Sequence, residues 1–369
     1  MVVVEVEAGT LVTPWGVKEG ALLRLKGRGS IYGETVLVPG FADAHAHPQV
    51  VDVGRGLWRN SYEWMRERRL RVDEAALRAD IELSSRLAAA AMLRGLLEGV
   101  TLMAMVGRGD ANLLAYRRLP VKPRLVLMPT VMDLHAGWPS TWGALSLVLS
   151  LSSLDGSVPL GLFVHSLGHA TVDSLKLAYS LAKRMGMPLG IHLSEGVDEL
   201  GRLVSILGLR EGVDSGIIAV HCISGDGYER YGIRVVHCPY SNMVLYGRTL
   251  RSLRHVDALG SDWPLLLGSA LSAYRVAVKV HGRDRARLLL DRATAGGYRI
   301  FGLDWSGDVV VFDEPLERVV EGAATPRLVA VDGRVVVEEG ELVGLGLSRR
   351  DVDRMIVQLV GEAHERHPA

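Results

Sequence analysis

From residue 36 onward, hydrophobic and polar positions repeat one unit: a short apolar run, a polar end, then a stretch with helical spacing. The runs are VLVPGFADAHAH (36–47), VTLMAMV (100–106), RLVLMPTV (124–131), PLGLFVH (159–165), PLGIHL (188–193), IIAVHC (217–222), IRVVHC (233–238) and DALGSD (257–262). Near-continuous apolar runs suit strands buried on both faces of a parallel sheet. Between them, residues 74–98 and 172–185 carry apolar positions three and four apart, and Gly99 and Gly186 supply stops. Such alternation predicts an α/β fold, a (β/α)8 TIM barrel over residues 36–304. An open doubly wound sheet is the competing arrangement, but no glycine-rich phosphate loop follows the first run.

The flanks read differently. Residues 1–35 and 305–345 are short strand-like runs joined by turns such as Asp332-Gly333. Neither flank is long enough to stand alone, so the two are expected to pair into one small β-sandwich-like domain. Residues 346–369 form a closing segment, helical from Ser348 to about His364. The βα alternation is the sole internal repeat, and no segment is of low complexity.

Composition narrows the function classes. The chain has 369 residues, with 42 basic and 42 acidic side chains, and the balance argues against nucleic acid or an anionic membrane as main partner. Cys222 and Cys238 are its two cysteines, too few for a disulfide framework and suited to a reducing cytoplasm. MVVVEVEAGT lacks the basic region and unbroken apolar core of a signal peptide, and LVLMPTVM and GALSLVLSL fall short of a membrane span. The expectation is a cytoplasmic protein acting on a small molecule, with a homodimer left open.

The candidate chemistry lies at the ends of the apolar runs. His45 and His47 are two places apart; on a strand they share a face and can share a metal ion, unless they are merely exposed or satisfied within the core. His165, His192, His221, His237 and Asp262 end later runs. In a TIM barrel these ends converge on one cup, and zinc favours imidazole and carboxylate donors.

The ordered set PGFADAHAH, GVT (99–101), HLSE (192–195), AVHC (219–222), HCPYSNMVL (237–245) and LGSD (259–262), with ATAGGYRIFGLD after the barrel, resembles the amidohydrolase superfamily. The similar branch is that of chlorohydrolases and aminohydrolases, including cytosine, guanine, adenosine and S-adenosylhomocysteine deaminases. This resemblance implies one divalent ion, zinc with iron(II) as alternative, on His45, His47, His192 and Asp262. It implies catalytic roles for Glu195, His221 and Asp262, and a substrate contact at His165. Glu195 would protonate a ring nitrogen, Asp262 would relay the proton of a metal-bound hydroxide's parent water, and His221 would steady the adduct. Binuclear members carry a lysine at the fourth strand; here that strand ends LFVH, which favours one metal.

Other residues are weighed beside these. Cys222 and Cys238 are expected in the core, and His237 in a structural role. Trp64 matches a family tryptophan near the substrate, against plain packing. His135 and Trp138 are placed at the pocket mouth or in ordinary loop packing, with His169 less suited to the pocket and His255, His281, His364 and His367 solvated. The eighth run continues SDWPLLLG, a departure from relatives that puts Trp263 beside Asp262, either stacking on a planar ring or packing beneath a loop. The implied function is hydrolytic deamination of a purine- or pyrimidine-like heterocycle. Alternatives are hydrolysis of a cyclic amide, as in imidazolonepropionase, dechlorination of a heteroaromatic ring, and a non-catalytic barrel scaffold.

Overall fold

A computed structural model describes residues 3–27, 30–31, 35–135, 138, 141–154 and 158–369. Parts of the N-terminal flank, residues 1–2, 28–29 and 32–34, therefore lie outside the described residues.

An eight-stranded parallel sheet forms the centre. Its strands are Phe41–Ala46, Val100–Gly107, Arg124–Val131, Leu162–Val164, Leu189–Leu193, Ile217–His221, Arg234–His237 and Val256–Leu259. Each pairs with the next in sequence, and a bridge between Ala46 and Asp262 joins last to first. The sheet thus closes into the expected barrel, with its side chains packed inward: Leu102, Ala104, Val126, Met128, Phe163, Val220, Val236 and Cys238 share one buried cluster. Cys222 lies instead in the cluster between the strands and the outer helices, so both cysteines are core residues. Between the sixth and seventh strands the described chain has a single 3₁₀ turn, Tyr228–Tyr231, in place of an α-helix.

Two expectations of element extent are corrected. The run 36–47 is not one strand: Val36–Pro39 pairs with Val309–Phe312 and with the strand Val3–Thr13, and only Phe41–Ala46 enters the barrel. Proline at 39 and glycine at 40 let the chain change sheets there. The helix at 74–98 is two helices, Glu74–Ala79 and Ile81–Leu97, because Asp80 ends one and caps the other by accepting from the Leu83 N–H at 3.0 Å. Arg366, which ends the terminal helix Arg349–Arg366, and His367, its C-cap, hold that carboxylate from the other side.

The flanks build a separate nine-stranded sheet. It curls round until Leu328–Val331 meets Arg334–Glu338, which in turn touches Gly16–Lys26, so its apolar face encloses a core of its own. Tyr298 links it to the barrel, sharing a 2.6 Å hydrogen bond with Thr101 and donating to Asp308 at 2.9 Å.

Gly40 links the strand Val36–Pro39 of the flank sheet to Phe41–Ala46 of the barrel. A Cβ there would lie 1.7 Å from Thr101 Oγ1 and 2.7 Å from its Cβ. Both groups are buried, so the clash has nowhere to relax. Gly40→Ala is expected to destabilise the protein by about 1–3 kcal/mol in urea denaturation. Thr101→Ala, costly alone through its lost hydrogen bond to Tyr298, should recover part of that loss in the double variant.

Candidate active site

The barrel closes through its chemistry-bearing residues. The Asp262 N–H donates to the His45 carbonyl at 2.9 Å, and the His47 N–H donates to the Asp262 carbonyl at 2.6 Å. A third tie runs from the Ser261 N–H to the Asp43 carboxylate, at 2.8 Å. Gly260 permits the approach, since a Cβ there would lie 2.9 Å from the His45 Cβ. The first strand is irregular, its register shifting between Asp43 and Ala46, so alternation does not describe it throughout. Both imidazoles nevertheless reach the same point. His45 Nε2 and His47 Nε2 each lie 3.1 Å from His192 Nε2.

Asp262 faces them, with Oδ1 3.5 Å from His45 Nε2 and 3.7 Å from His47 Nε2. His221 Nε2 is 3.9 Å from Asp262 Oδ2 and 3.5 Å from Glu195 Oε1, so it spans the two carboxylates. Ser194 (φ 57°), His221 (76°), Cys222 (47°) and Asp262 (64°) all have left-handed backbone. Non-glycine residues adopt it at a cost, and four of them at the strand ends turn the site's side chains inward.

Electrostatics fit a cation. Burial pushes the His45, His47 and His192 imidazoles below their ordinary value, holding them neutral with a lone pair to offer. Burial alone would raise the Asp262 carboxyl, but the His45 hydrogen bond and the neighbouring imidazoles outweigh it and keep it well below the usual range. Donor atoms of His45, His192, His221 and Asp262 all lie within 4.8 Å of one another. Ligand atoms sharing one zinc at about 2.1 Å stand about 3–3.5 Å apart, which the separations of His45 Nε2 and of His47 Nε2 from His192 Nε2 already match. The donor set therefore suits a divalent metal.

Residues without a role in the sequence reading complete the centre. The helix Pro239–Tyr246 presents Asn242 and Tyr246, four apart, on one face. His221 Nδ1 is 2.8 Å from Asn242 Oδ1, so the ring donates there and keeps Nε2 free. Tyr246 donates to Glu195 Oε2 at 2.5 Å. Burial raises the Glu195 carboxyl, opposed by His221 and Tyr246 without being cancelled. Asp43, two places before His45, is pushed up to about 7 by burial. The signal for Asn242 and Tyr246 was a polar pair at helical spacing directly after the seventh strand.

The cleft above the centre is lined by His165, His169, Trp64, Trp138 and Trp263, among others. His169 thus belongs to it, contrary to expectation; Ser166 lies between its Nδ1 (2.9 Å) and that of His165 (3.4 Å). Trp263 does not stand free at the rim. It is buried against Trp64, ring centroids 5.8 Å apart, in a cluster with Val50, Leu245 and Tyr246. His135 is not among the described lining residues. His237 points away from the centre to His281, 3.1 Å between Nε2 atoms. The histidines expected in solvent are half-buried, and three have partners: His281 this one, His255 Asp226 and Glu229, and His367 Asp80. A larger groove of about 970 Å³, lined by Lys26, Lys122 and Arg124 between the barrel and the flank sheet, holds none of the candidate residues.

Residues 36–336 match the amidohydrolase family. The chain belongs to that family. Over 258 residues, 57% of this chain and 60% of the relative, it is 26% identical to a 5-methylthioadenosine/S-adenosylhomocysteine deaminase of Natronomonas pharaonis. Over 307 residues, 72% of this chain and 66% of the relative, it is 25% identical to the protein of that name in Nitratidesulfovibrio vulgaris. The matches thus span less than two thirds of either curated relative. Among solved structures, an adenosine deaminase from Xanthomonas campestris with bound zinc superimposes with a TM-score of 0.78 at 18% identity, covering 98% of both chains. Atrazine chlorohydrolase from Arthrobacter aurescens TC1 complexed with zinc gives 0.76 at 16% identity, covering 98% of this chain and 100% of that one. These likenesses show the barrel fold.

The imidazoles carry a pH signature for the metal-free protein. Seven histidines (45, 47, 165, 169, 192, 237 and 281) are lowered in the fold, against three raised carboxyls, Asp43, Glu195 and Asp308. Below about pH 6.5 the unfolded chain binds more protons at the histidines, while the carboxyls act in the opposite direction and are outnumbered. Stability should therefore fall as pH falls. The urea midpoint of chelator-treated protein should be lower at pH 5.5 than at 7.5, and an equal or higher midpoint would contradict the assignment.

Proposed function

We propose that the chain is a metal-dependent hydrolase that deaminates an aminated N-heterocycle, converting a ring C–NH2 and water to a ring carbonyl and ammonia. The observation that carries this reading is the convergence of three neutral imidazoles and one ionised carboxylate beside a buried carboxyl of raised pKa. We assign His45, His47, His192 and Asp262 as ligands and zinc as the ion, the metal named in two solved relatives. His221 is placed outside the ligand set because its Nε2 also reaches Glu195. When bound, the ion supplies a Lewis acid that makes water a nucleophile near neutral pH.

The protein's own groups handle the protons. Glu195, whose carboxyl burial raises, is assigned as the acid that gives a proton to the ring nitrogen next to the attacked carbon. Tyr246 occupies Oε2, which leaves Oε1 as the oxygen facing His221 and the reacting centre. Asp262 accepts one proton of the attacking water and delivers it to the departing amine, and the adduct's remaining hydroxyl proton returns to Glu195 as the ring carbonyl forms. His221, its Nδ1 proton committed to Asn242, steadies the oxygen side of the adduct. Trp64, Trp263 and His165 bound the ring. The two buried cysteines fit the cytoplasmic setting we assign.

Glu195→Gln keeps the shape and removes the transferable proton. Turnover should fall by about 10²–10⁴-fold, with metal content unchanged by elemental analysis. Near-normal ammonia release from this variant would remove Glu195 from the mechanism. Chloride rather than ammonia from a panel of aminated and chlorinated rings would move the reading to a dechlorinase.

A further inference from the structure

The outer wall of the cleft carries three charged side chains that the deamination chemistry does not use. Arg68, just past the helix Ser61–Glu67, and Arg78, on the helix Glu74–Ala79, both turn to the Glu74 carboxylate. Arg68 Nη2 lies 2.5 Å from Oε2 and Arg78 Nη2 lies 3.3 Å from Oε1. All three line the cleft. Their side chains are only 9%, 11% and 12% exposed, so these charges are largely out of bulk water.

Two guanidiniums share one carboxylate, which leaves one positive charge over. Burying an unmatched charge is expensive, and proteins tolerate it where a partner arrives. Among the described residues, neither guanidinium has a second acceptor for its side-chain donors, and both arginines line the cleft. Both planes are fixed by stacking: Arg68 over Trp64 at 4.7 Å, and Arg78 over Trp138 at 4.8 Å. Their field reaches along the wall, where Arg78 and Arg68 add to the burial that keeps His165 neutral, and Arg78 acts on His47. No other carboxylate lines this part of the described cleft; Glu195 and Asp262 lie on its floor. A fixed fork of spare N–H donors with net positive charge is the chemistry that recognises a carboxylate or phosphate.

We propose that the substrate carries an anionic group, carboxylate or phosphate, on an arm of its aminated ring, and that this group docks on Arg68 and Arg78. The assignment rests on the deaminase reading for the position of the ring, while the anion site itself stands on the wall. Glu74 sets the two guanidiniums in register and tempers their charge, so its removal and theirs act in opposite directions.

The test uses zinc-loaded full-length protein with three probes that share one ring: adenosine, adenosine-5′-carboxylate and adenosine 5′-monophosphate. Binding is read by tryptophan fluorescence, which Trp64 and Trp138 place beside the site, and turnover by ammonia release. At least one anionic probe should bind about tenfold or more tightly than adenosine. That ratio should fall to within about threefold in Arg78→Gln, recover in part in Arg78→Lys, and rise in Glu74→Gln. Arg78→Gln leaves Glu74 paired with Arg68, and Arg68→Gln serves as the second variant with the reverse pairing. Preference for the carboxylate over the phosphate, or the reverse, identifies the anion. Equal or weaker binding of both anionic probes, no detectable binding of either, or a ratio unmoved by both arginine variants overturns the proposal. Absence of ammonia from every probe counts against the deaminase reading and leaves the binding ratios to decide the anion site.

Discussion

The hydrogen bonds that close the barrel between His45, His47 and Asp262 are the constraint on which the rest depends. They fix the last strand against the first at the residues that carry the donors, so the same contact that completes the sheet assembles the site. Gly260 permits the close approach and Asp43 adds a third tie through Ser261. The left-handed backbone at Asp262 turns its carboxylate inward, where a regular strand would have carried it on past the centre. Strain of this kind persists only when the surroundings over-determine it, and the closed barrel does so.

Closure also sets the electrostatics. Imidazoles packed this densely cannot all be protonated, and the carboxylate among them stays ionised only because those rings face it. A cation is the species that resolves such a cluster without added hydrogen bonds. Around it, the helix Pro239–Tyr246 fixes His221 through Asn242 and Glu195 through Tyr246. Further out, the cleft changes character, from aromatic packing at Trp64 and Trp263 to the charged wall of Arg68, Glu74 and Arg78.

Much of this was legible in the sequence because parallel strands buried on both faces leave near-continuous apolar runs, and functional residues gather at the ends of those runs. The eight strands are visible on that basis, and His45, His47, His192 and Asp262 stand out as candidate donors at or just beyond their ends. What stayed hidden depends on contacts that only the folded chain makes. Nothing local says that Val36–Pro39 belongs to a different sheet from Phe41–Ala46, because both are apolar and extended. Asp80 reads as one more polar position in a helical stretch until its carboxylate is seen capping the next helix. Tyr246 and His169 have partners 51 and 3 residues away, respectively, and only the folded chain shows which of them faces the site. Arg68 and Arg78 were two among many arginines, and their burial against one carboxylate is a tertiary fact.

The central claim is that barrel closure assembles a single metal site from His45, His47, His192 and Asp262. Elemental analysis of the purified protein combined with anomalous scattering from its crystals tests this most directly. The account predicts one divalent ion per chain, within about 2.3 Å of three Nε2 atoms and one Asp262 oxygen, with His221 outside bonding distance. Two ions per chain, or one ion bound by His221 in place of His47, would contradict it.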